Sequence, residues 1–286
     1  MFTTPSGING IIQHIEYKST HILILNTYFV NMQYGSYSLT RQFVNTYLNR
    51  DGSRFTDKAG YEKTLFADEF ENRDYRLMQS IRYPGYTRRN NNVNTPYAPD
   101  FGYCVTGYQP IKWVIDDTSM DSNTAPCATS IPILRYAEVL LNEAEAAARA
   151  GDKTLALEKL NQVRDRSLAD PATQTYKASD FANTKALVEA ILWERRIEFQ
   201  GEGRRWEDIH RLAADDLLPS GGIPAKIEYN NVKNQGAFVV GGEVKAEWFG
   251  NSKQFIPYTD KRFIWPIPLN DILRNPTLAA QQNAGW

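Results

Sequence analysis

The stretch IPILRYAEVLLNEAEAAARAGDKTLALEKLNQVRDRS, residues 131–167, constrains the fold more than any other part of the chain. Ile133, Ala137, Leu140, Leu141, Ala144 and Ala148 recur at helical spacing. The spacing predicts a helix that begins at Pro132, tolerated in a first turn because its missing N–H would have no partner, with Thr129 or Ser130 as cap. Gly151 stops that helix by accepting a left-handed conformation. Asp152 caps the next, which Ala156, Leu160, Val163 and Ser167 line. Small residues at 144, 148 and 156 let the two backbones approach closely. A tight antiparallel helix pair is the expectation.

Such a pair resembles one tetratricopeptide-type unit, and no second copy follows. A lone repeat cannot bury its own apolar face and normally stacks with about three or more neighbours, so the chain reads as part of something larger. A third helix is expected from about 184 to 199, broken at Gly201–Gly203 and restarting over 204–213. Upstream, IIQHIEY alternates like a strand, and VNTYLNRDGSRFTD (44–57) reads as a short strand or helix ending in a turn. Residues 85–130, rich in Gly, Pro, Asn, Asp and Ser, read as loop with one strand around Gln109–Ile115. Their aromatic content argues against plain disorder. The segment 214–286 reads as loops, turns and short strands, with Pro266 and Pro268 bracketing Ile267. The predicted fold class is therefore mainly α, with three regions packing as one unit: a loop-rich 1–130, a helical scaffold 131–213 and a loop-rich 214–286.

Charge removes one class of function. Across 286 residues, 32 basic side chains meet 33 acidic ones, so no basic face marks a nucleic-acid partner. Residues 1–10 lack the basic and apolar regions of a signal peptide, and ILILN (22–26) is too short to span a bilayer. Cys104 and Cys127 fit either a disulfide or two thiols. His14, His21 and His210 are scattered, and Asn49–Ser53 lacks the acidic spacing of a calcium loop, so neither metal nor cofactor is expected.

One segment is dense in charge: ERRIEFQGEGRRWEDIHR, residues 194–211. Leu187 and Ile191 point in the direction that Glu194, Arg195 and Glu198 continue, so these charges extend a buried stripe. Glu194 and Glu198 could be a catalytic acid and base, but that chemistry needs carboxylates with divergent environments, usually on separate elements. Arginines within reach would hold both ionised. The favoured reading is a structural ion-pair network of Glu194, Arg195, Glu198, Arg204, Arg205, Asp208 and Arg211. In that reading Arg195 pairs within its own helix, and the residues after the glycines face back onto the first set.

Here the residues resemble the SusD/RagB family of surface glycan-binding lipoproteins. Asn72-Arg73-Asp74, Arg76-Leu77 and Tyr83-Pro84-Gly85 are similar to its NRDPRL…YPG block. The run Leu134 to Leu141 with Ala144-Glu145-Ala146 is similar to its LRYAEVLL–AEA helix, and Asn161, Val163, Arg164 and Arg166 to its NxVRxR pattern. Glu194-Arg195-Arg196, Glu198, Glu202-Gly203, Arg205, Asp208 and Arg211 resemble its ERRxEL–EGxRxxDLxR block. Trp265-Pro266-Ile267-Pro268, Asn275-Pro276, Leu278 and Gln282-Asn283 resemble its closing WPIP…NPxL…QN. Tyr75 departs from the usual Pro, Gln200-Gly201 from a more apolar pair, and Ala284 and Trp286 from Pro and Tyr.

The resemblance implies a SusD-like C-terminal region, with the family's N-terminal half, signal peptide and lipidated cysteine upstream. It implies outer-membrane anchoring at the cell surface and non-catalytic capture of a carbohydrate ligand for a SusC-like TonB-dependent transporter. A peptide ligand, as on the RagB side of the family, and a glycan-active enzyme are the rivals. Sugar rings pack C–H faces on aromatic rings and need planar polar partners for their hydroxyls. The expected binding residues are Tyr86, Tyr97, Phe101, Tyr103 and Trp113, with Asn92, Asn94 and Asp100, and a second loop carries Trp248 and Phe249. Trp113 and Tyr108 also fit a core strand.

Overall fold

The computed structural model describes residues 11–15, 38–100, 103–104, 106–112, 114, 116–121, 131–168, 175–208 and 266–282. In chain order they form strand β1 (Ile11–Ile15), helix α1 (Arg41–Val44), helix α2 (Tyr75–Ser80), strands β2 (Thr87–Asn90) and β3 (Val93–Pro96), and strand β4 (Ile131–Arg135). Helices α3 (Tyr136–Ala150), α4 (Lys153–Arg164), α5 (Thr184–Glu198) and α6 (Leu269–Arg274) follow, with short 3-10 turns between. The fold is mainly α, as expected.

The helix pair is α3 and α4. Gly151 takes φ 87°, and its N–H and that of Asp152 return to the carbonyls of Ala148 and Ala147. Asp152 then accepts from Leu155 N–H at 3.0 Å, so the left-handed stop and the side-chain cap are adjacent residues. Ala144 and Ala156 are fully buried between the helices. Asn183 caps α5, accepting from Ala186 N–H at 2.9 Å.

Where the first of these helices begins differs from the reading above. Residues 131–135 are strand, and Pro132 and Ile133 belong to it. Strand β4 pairs antiparallel with β1, Ile11 opposite Arg135 and His14 opposite Pro132, with register irregularities between them. Ile-Pro-Ile suits an extended strand better than a first turn, and a distant partner strand decides the matter. Thr129 and Ser130 lie outside the described residues.

Two apolar clusters flank α5. One gathers Leu140, Leu141, Leu157, Leu160, Val163, Phe181 and Phe199 with Leu187, Val188, Ile191 and Leu192 of α5. The other holds Val44, Tyr47, Phe70, Leu77, Ile81 and Tyr108 with Ile197. At about 1.5–3 kcal/mol per fully buried large apolar side chain, each cluster ties its elements firmly to the shared helix. Trp193 adds a polar tie, its indole N–H donating to Thr46 O at 2.9 Å.

Two loop assignments change. Around Gln109–Ile115 the described residues make a single bridge, Ile81 to Pro110, and no strand; Tyr108 is core. The loop-like 85–130 contains the β2–β3 hairpin. Within 214–286 the described part, 266–282, is helix α6 and a 3-10 turn (Pro276–Gln281). There the Gln282 amide holds Ile267 by both backbone groups, accepting at 2.8 Å and donating at 3.1 Å. No described helix is long and apolar enough to cross a membrane.

Candidate ligand-binding cleft and the charged cluster behind it

The β2–β3 hairpin turns on Asn91 and Asn92, whose φ values of 49° and 63° both lie in the left-handed region. Asparagine tolerates that conformation, and a two-residue turn of this hand matches the twist of paired strands. Register is Asn90 opposite Val93 and Arg88 opposite Thr95. Arg88 points inward, fully buried, and forms a bidentate pair with Asp121 at 2.7 and 2.6 Å. Arg89 donates its backbone N–H to Asp116 O at 2.7 Å and its guanidinium to Asp117 at 3.2 Å. Fork-to-carboxylate bonds of this kind fix direction as well as distance, so the hairpin is held in one orientation.

Between the hairpin and α2 lies a cleft of about 440 Å³. Tyr83 and Tyr86 form its aromatic wall, edge to face with centroids 6.0 Å apart. Thr87, Arg89, Asn94 and Asp116 bring hydroxyl, guanidinium, amide and carboxylate, while Met78 and Ile111 complete the lining. Burial pushes the Tyr86 phenol up to about 12, tempered by nearby Arg88, so it stays a neutral hydroxyl at physiological pH. Aromatic surface beside amide and hydroxyl groups is the chemistry that holds a polyol.

Of the residues singled out from sequence, Tyr86 and Asn94 meet in this cleft. Asn92 sits exposed at the hairpin tip and Asp100 is exposed beyond it. Tyr97 is half-buried, with the guanidiniums of Arg82 and Arg88 each 5.3 Å from its ring centroid, which places it in the hairpin's support. Tyr103 is 40% exposed. Phe101, Trp113, Trp248, Phe249 and Cys127 lie outside the described residues, and Cys104 is buried. Tyr83, Met78, Thr87, Arg89, Ile111 and Asp116 were missed. The Tyr-Pro-Gly turn before the hairpin was the available signal for Tyr83, with Gly85 at φ 92°.

Behind the cleft, most charges of 194–208 are paired, largely by residues outside that segment. Glu198, 6% exposed, accepts from Arg76 at 3.0 Å, Arg135 at 2.6 Å and Arg166 at 2.9 Å. Glu194 accepts from Arg76, whose other nitrogens grip Asp74, the cap of α2. Glu202 pairs with Arg135 at 2.7 Å and Lys112 at 2.5 Å. Burial alone would raise the Glu198 carboxyl, but Arg76, Arg135 and Arg166 outweigh it and hold the group far below the usual carboxylate range. Burial likewise depresses Lys112, against the pull of Glu202.

The expected pairing within the helix does not occur. Arg195 turns from Glu198 to Asp208, at 3.0 Å, and to the Asn142 amide oxygen of α3, at 2.6 Å. Arg204 pairs with Glu138 at 3.0 Å and donates to Ile133 O. Arg205 has no ion pair among the described residues, though the Asp208 charge acts favourably on it. Arg211 lies outside them. Sequence reasoning missed Asp74, Arg76, Lys112, Arg135, Arg166 and Glu202 as members of the cluster.

The SusD family model matches residues 17–286. A SusD-like protein of Formosa agariphila, P38, is 28% identical over 219 residues, 74% of this chain and 32% of that protein. A SusD-like protein of Bacteroides fragilis superposes with TM-score 0.67 at 21% identity, over 97% of this chain and 54% of that one. A SusD-like carbohydrate binding protein of the same organism gives TM-score 0.52 at 20% identity, over 94% and 54%. The chain thus spans about a third of the length of the first relative and about half of the two solved chains.

Proposed function

The chain belongs to the SusD family, and from its cleft we propose that it serves non-catalytic capture of an oligosaccharide at the cell surface. The observation that carries this reading is the meeting of Tyr83, Tyr86, Thr87 and Asn94 around one open concavity. Tyrosine rings offer sugars an apolar face or edge, and the adjacent amide and hydroxyl satisfy the sugar's own hydroxyls. A relative in the same fold is described as a carbohydrate binding protein, which supports the assignment. The proposal extends to delivery to a SusC-like TonB-dependent transporter and to anchoring of the whole protein on the outer membrane as a lipoprotein, both of which membership of the family supports.

Absence of catalysis has its own support. Glycoside hydrolysis uses two carboxyl groups, one kept protonated. Among the described residues a single carboxylate, Asp116, lines the cleft. Glu194 and Glu198, the other candidates, are each committed to arginine. Glu198 in particular, held far below the usual carboxylate range by its arginines, is not available as a proton donor near neutral pH.

The test is affinity electrophoresis of the full-length protein through gels carrying a panel of polysaccharides. At least one should retard it, and Tyr83→Ala with Asn94→Ala should reverse most of that retardation. Stacking contacts are worth about 1 kcal/mol each, or roughly fivefold in affinity, so the double variant gives the clearer reading. Retardation that survives this pair but is lost in Tyr97→Ala with Tyr103→Ala would move the site to the following loop. A panel of peptides serves as the rival arm.

A further inference from the structure

On the other side of α2 from the cleft lies a separate cavity of about 150 Å³, the share of about five liquid waters at about 30 Å³ each, with room for one small ring. Its walls include Tyr75, Gln79, Lys112, Arg135 and Arg166, with Glu198 at the back. Three features give it the makings of a site. The Tyr75 side chain, which stands where the related pattern has proline, is 37% exposed and braced by the Arg50 guanidinium 3.9 Å from its ring centroid. Gln79 is exposed one turn along the same helix. Arg166, its side chain 49% exposed, spends Nη2 on Glu198 and Nε on the Val163 carbonyl, and its Nη1 has no partner among the described residues.

Charge in the cavity is one-sided. Arg76, Lys112, Arg135 and Arg166 all reach its surface, whereas Glu198 is the one carboxylate that does. The remaining counter-ions, Asp74, Glu194 and Glu202, pair with these cations without lining the cavity. A concavity lined this way favours an anion, and a half-exposed guanidinium at its mouth can bind a carboxylate without first losing its buried partner.

We propose that this cavity is a second saccharide subsite that accepts a single hexuronate unit, with the sugar carboxylate on Arg166, its ring against Tyr75 and a hydroxyl on Gln79. The subsite does not depend on the Tyr83–Tyr86 cleft. It would let the protein discriminate acidic from neutral glycans, a selectivity the near-neutral cleft does not supply.

Isothermal titration of the full-length protein at low ionic strength tests this with sodium D-glucuronate, D-glucose and sodium acetate. Glucuronate should bind at least about tenfold more tightly than either of the others, a step typical of one charge-assisted contact added to a ring contact. Arg166→Met and Tyr75→Pro should each weaken glucuronate by about tenfold. Both variants should fold: Glu198 retains Arg76 and Arg135, and proline is at home in the first position of a helix. Asn94→Ala, in the cleft, should leave the glucuronate affinity unchanged, which separates this subsite from the proposed function. In the wild-type protein the Arg166 Nε–H resonance should shift on adding glucuronate. Binding no tighter than glucose, acetate binding as well as glucuronate, a silent Arg166 resonance, or full affinity in both variants would each overturn the assignment.

Discussion

Glu198→Gln isolates what the charged cluster contributes. The substitution keeps shape and one acceptor oxygen but removes the charge facing three guanidiniums at 3.0, 2.6 and 2.9 Å. Charge-assisted bonds are worth about 1.5–3 kcal/mol each, yet the amide retains part of them, and three bonds on two oxygens do not add. Breaking a buried pair from one side costs about 3–5 kcal/mol, because the remaining cations stay desolvated. At about 2–4 °C per kcal/mol for a protein of this size, the melting temperature should fall by roughly 10 °C at pH 7. The pH dependence carries a definite sign. The folded carboxyl sits far below its ordinary value of 4.5, so its contribution is complete above that value and fades as pH falls further. The gap between wild type and variant should therefore be widest near neutrality and shrink below about pH 4. Differential scanning calorimetry at pH 7 and pH 3 reads both quantities. Arg204→Met is the control: its side chain is 26% exposed and that of its partner Glu138 14%, so this partly exposed pair should contribute about 1 kcal/mol, well short of the Glu198 cluster. A Glu198→Gln protein that melts within a degree or two of wild type, or a gap that widens in acid, would refute the structural reading.

Two further outcomes are expected. Gly151→Ala should destabilise by about 1–2 kcal/mol in chemical denaturation, wholly through the backbone, because the residue has φ 87° and an added Cβ would meet nothing within 4 Å. Tyr108→Phe removes the hydroxyl that donates to both oxygens of buried Glu69, at 2.9 and 2.7 Å, and should cost about 1–3 kcal/mol at pH 7. Burial already raises the Glu69 carboxyl, so that group favours folding most at low pH and loses the benefit as pH rises; the variant's deficit should grow from pH 4 to pH 7 in urea melts.

Local chemistry made much of the scaffold legible. Gly151 and Asp152 end one helix and begin the next through bonds spanning five residues or fewer, and Asn183 caps α5 in the same way. The hairpin was missed although Asn91-Asn92 marked its turn, because its flanks alternate weakly: only Arg88 of Thr87–Asn90 is buried. A basic residue on the inward face contradicts the usual strand pattern, and Asp121 resolves the contradiction only in three dimensions. Tyr97 looked like a sugar platform by composition, yet the guanidiniums beside its ring come from Arg82 and Arg88.

By itself the sequence determined the helix pair, its close approach, the break after α5 and the presence of a buried charge cluster, since each depends on neighbours within a few turns. Tertiary structure decided which charges meet. Arg76 lies 118 residues from Glu194 and 122 from Glu198, and no periodicity can encode contacts at that separation. It also decided that residues 131–135 extend to pair with 11–15, where local preference admitted a helix. The cleft belongs to the same class, drawing Met78, Tyr83, Asn94, Ile111 and Asp116 from segments that share no local pattern. Short-range bonds are set by covalent spacing, whereas the sharing of desolvated charge and ring surface is settled only when distant segments have excluded water between them.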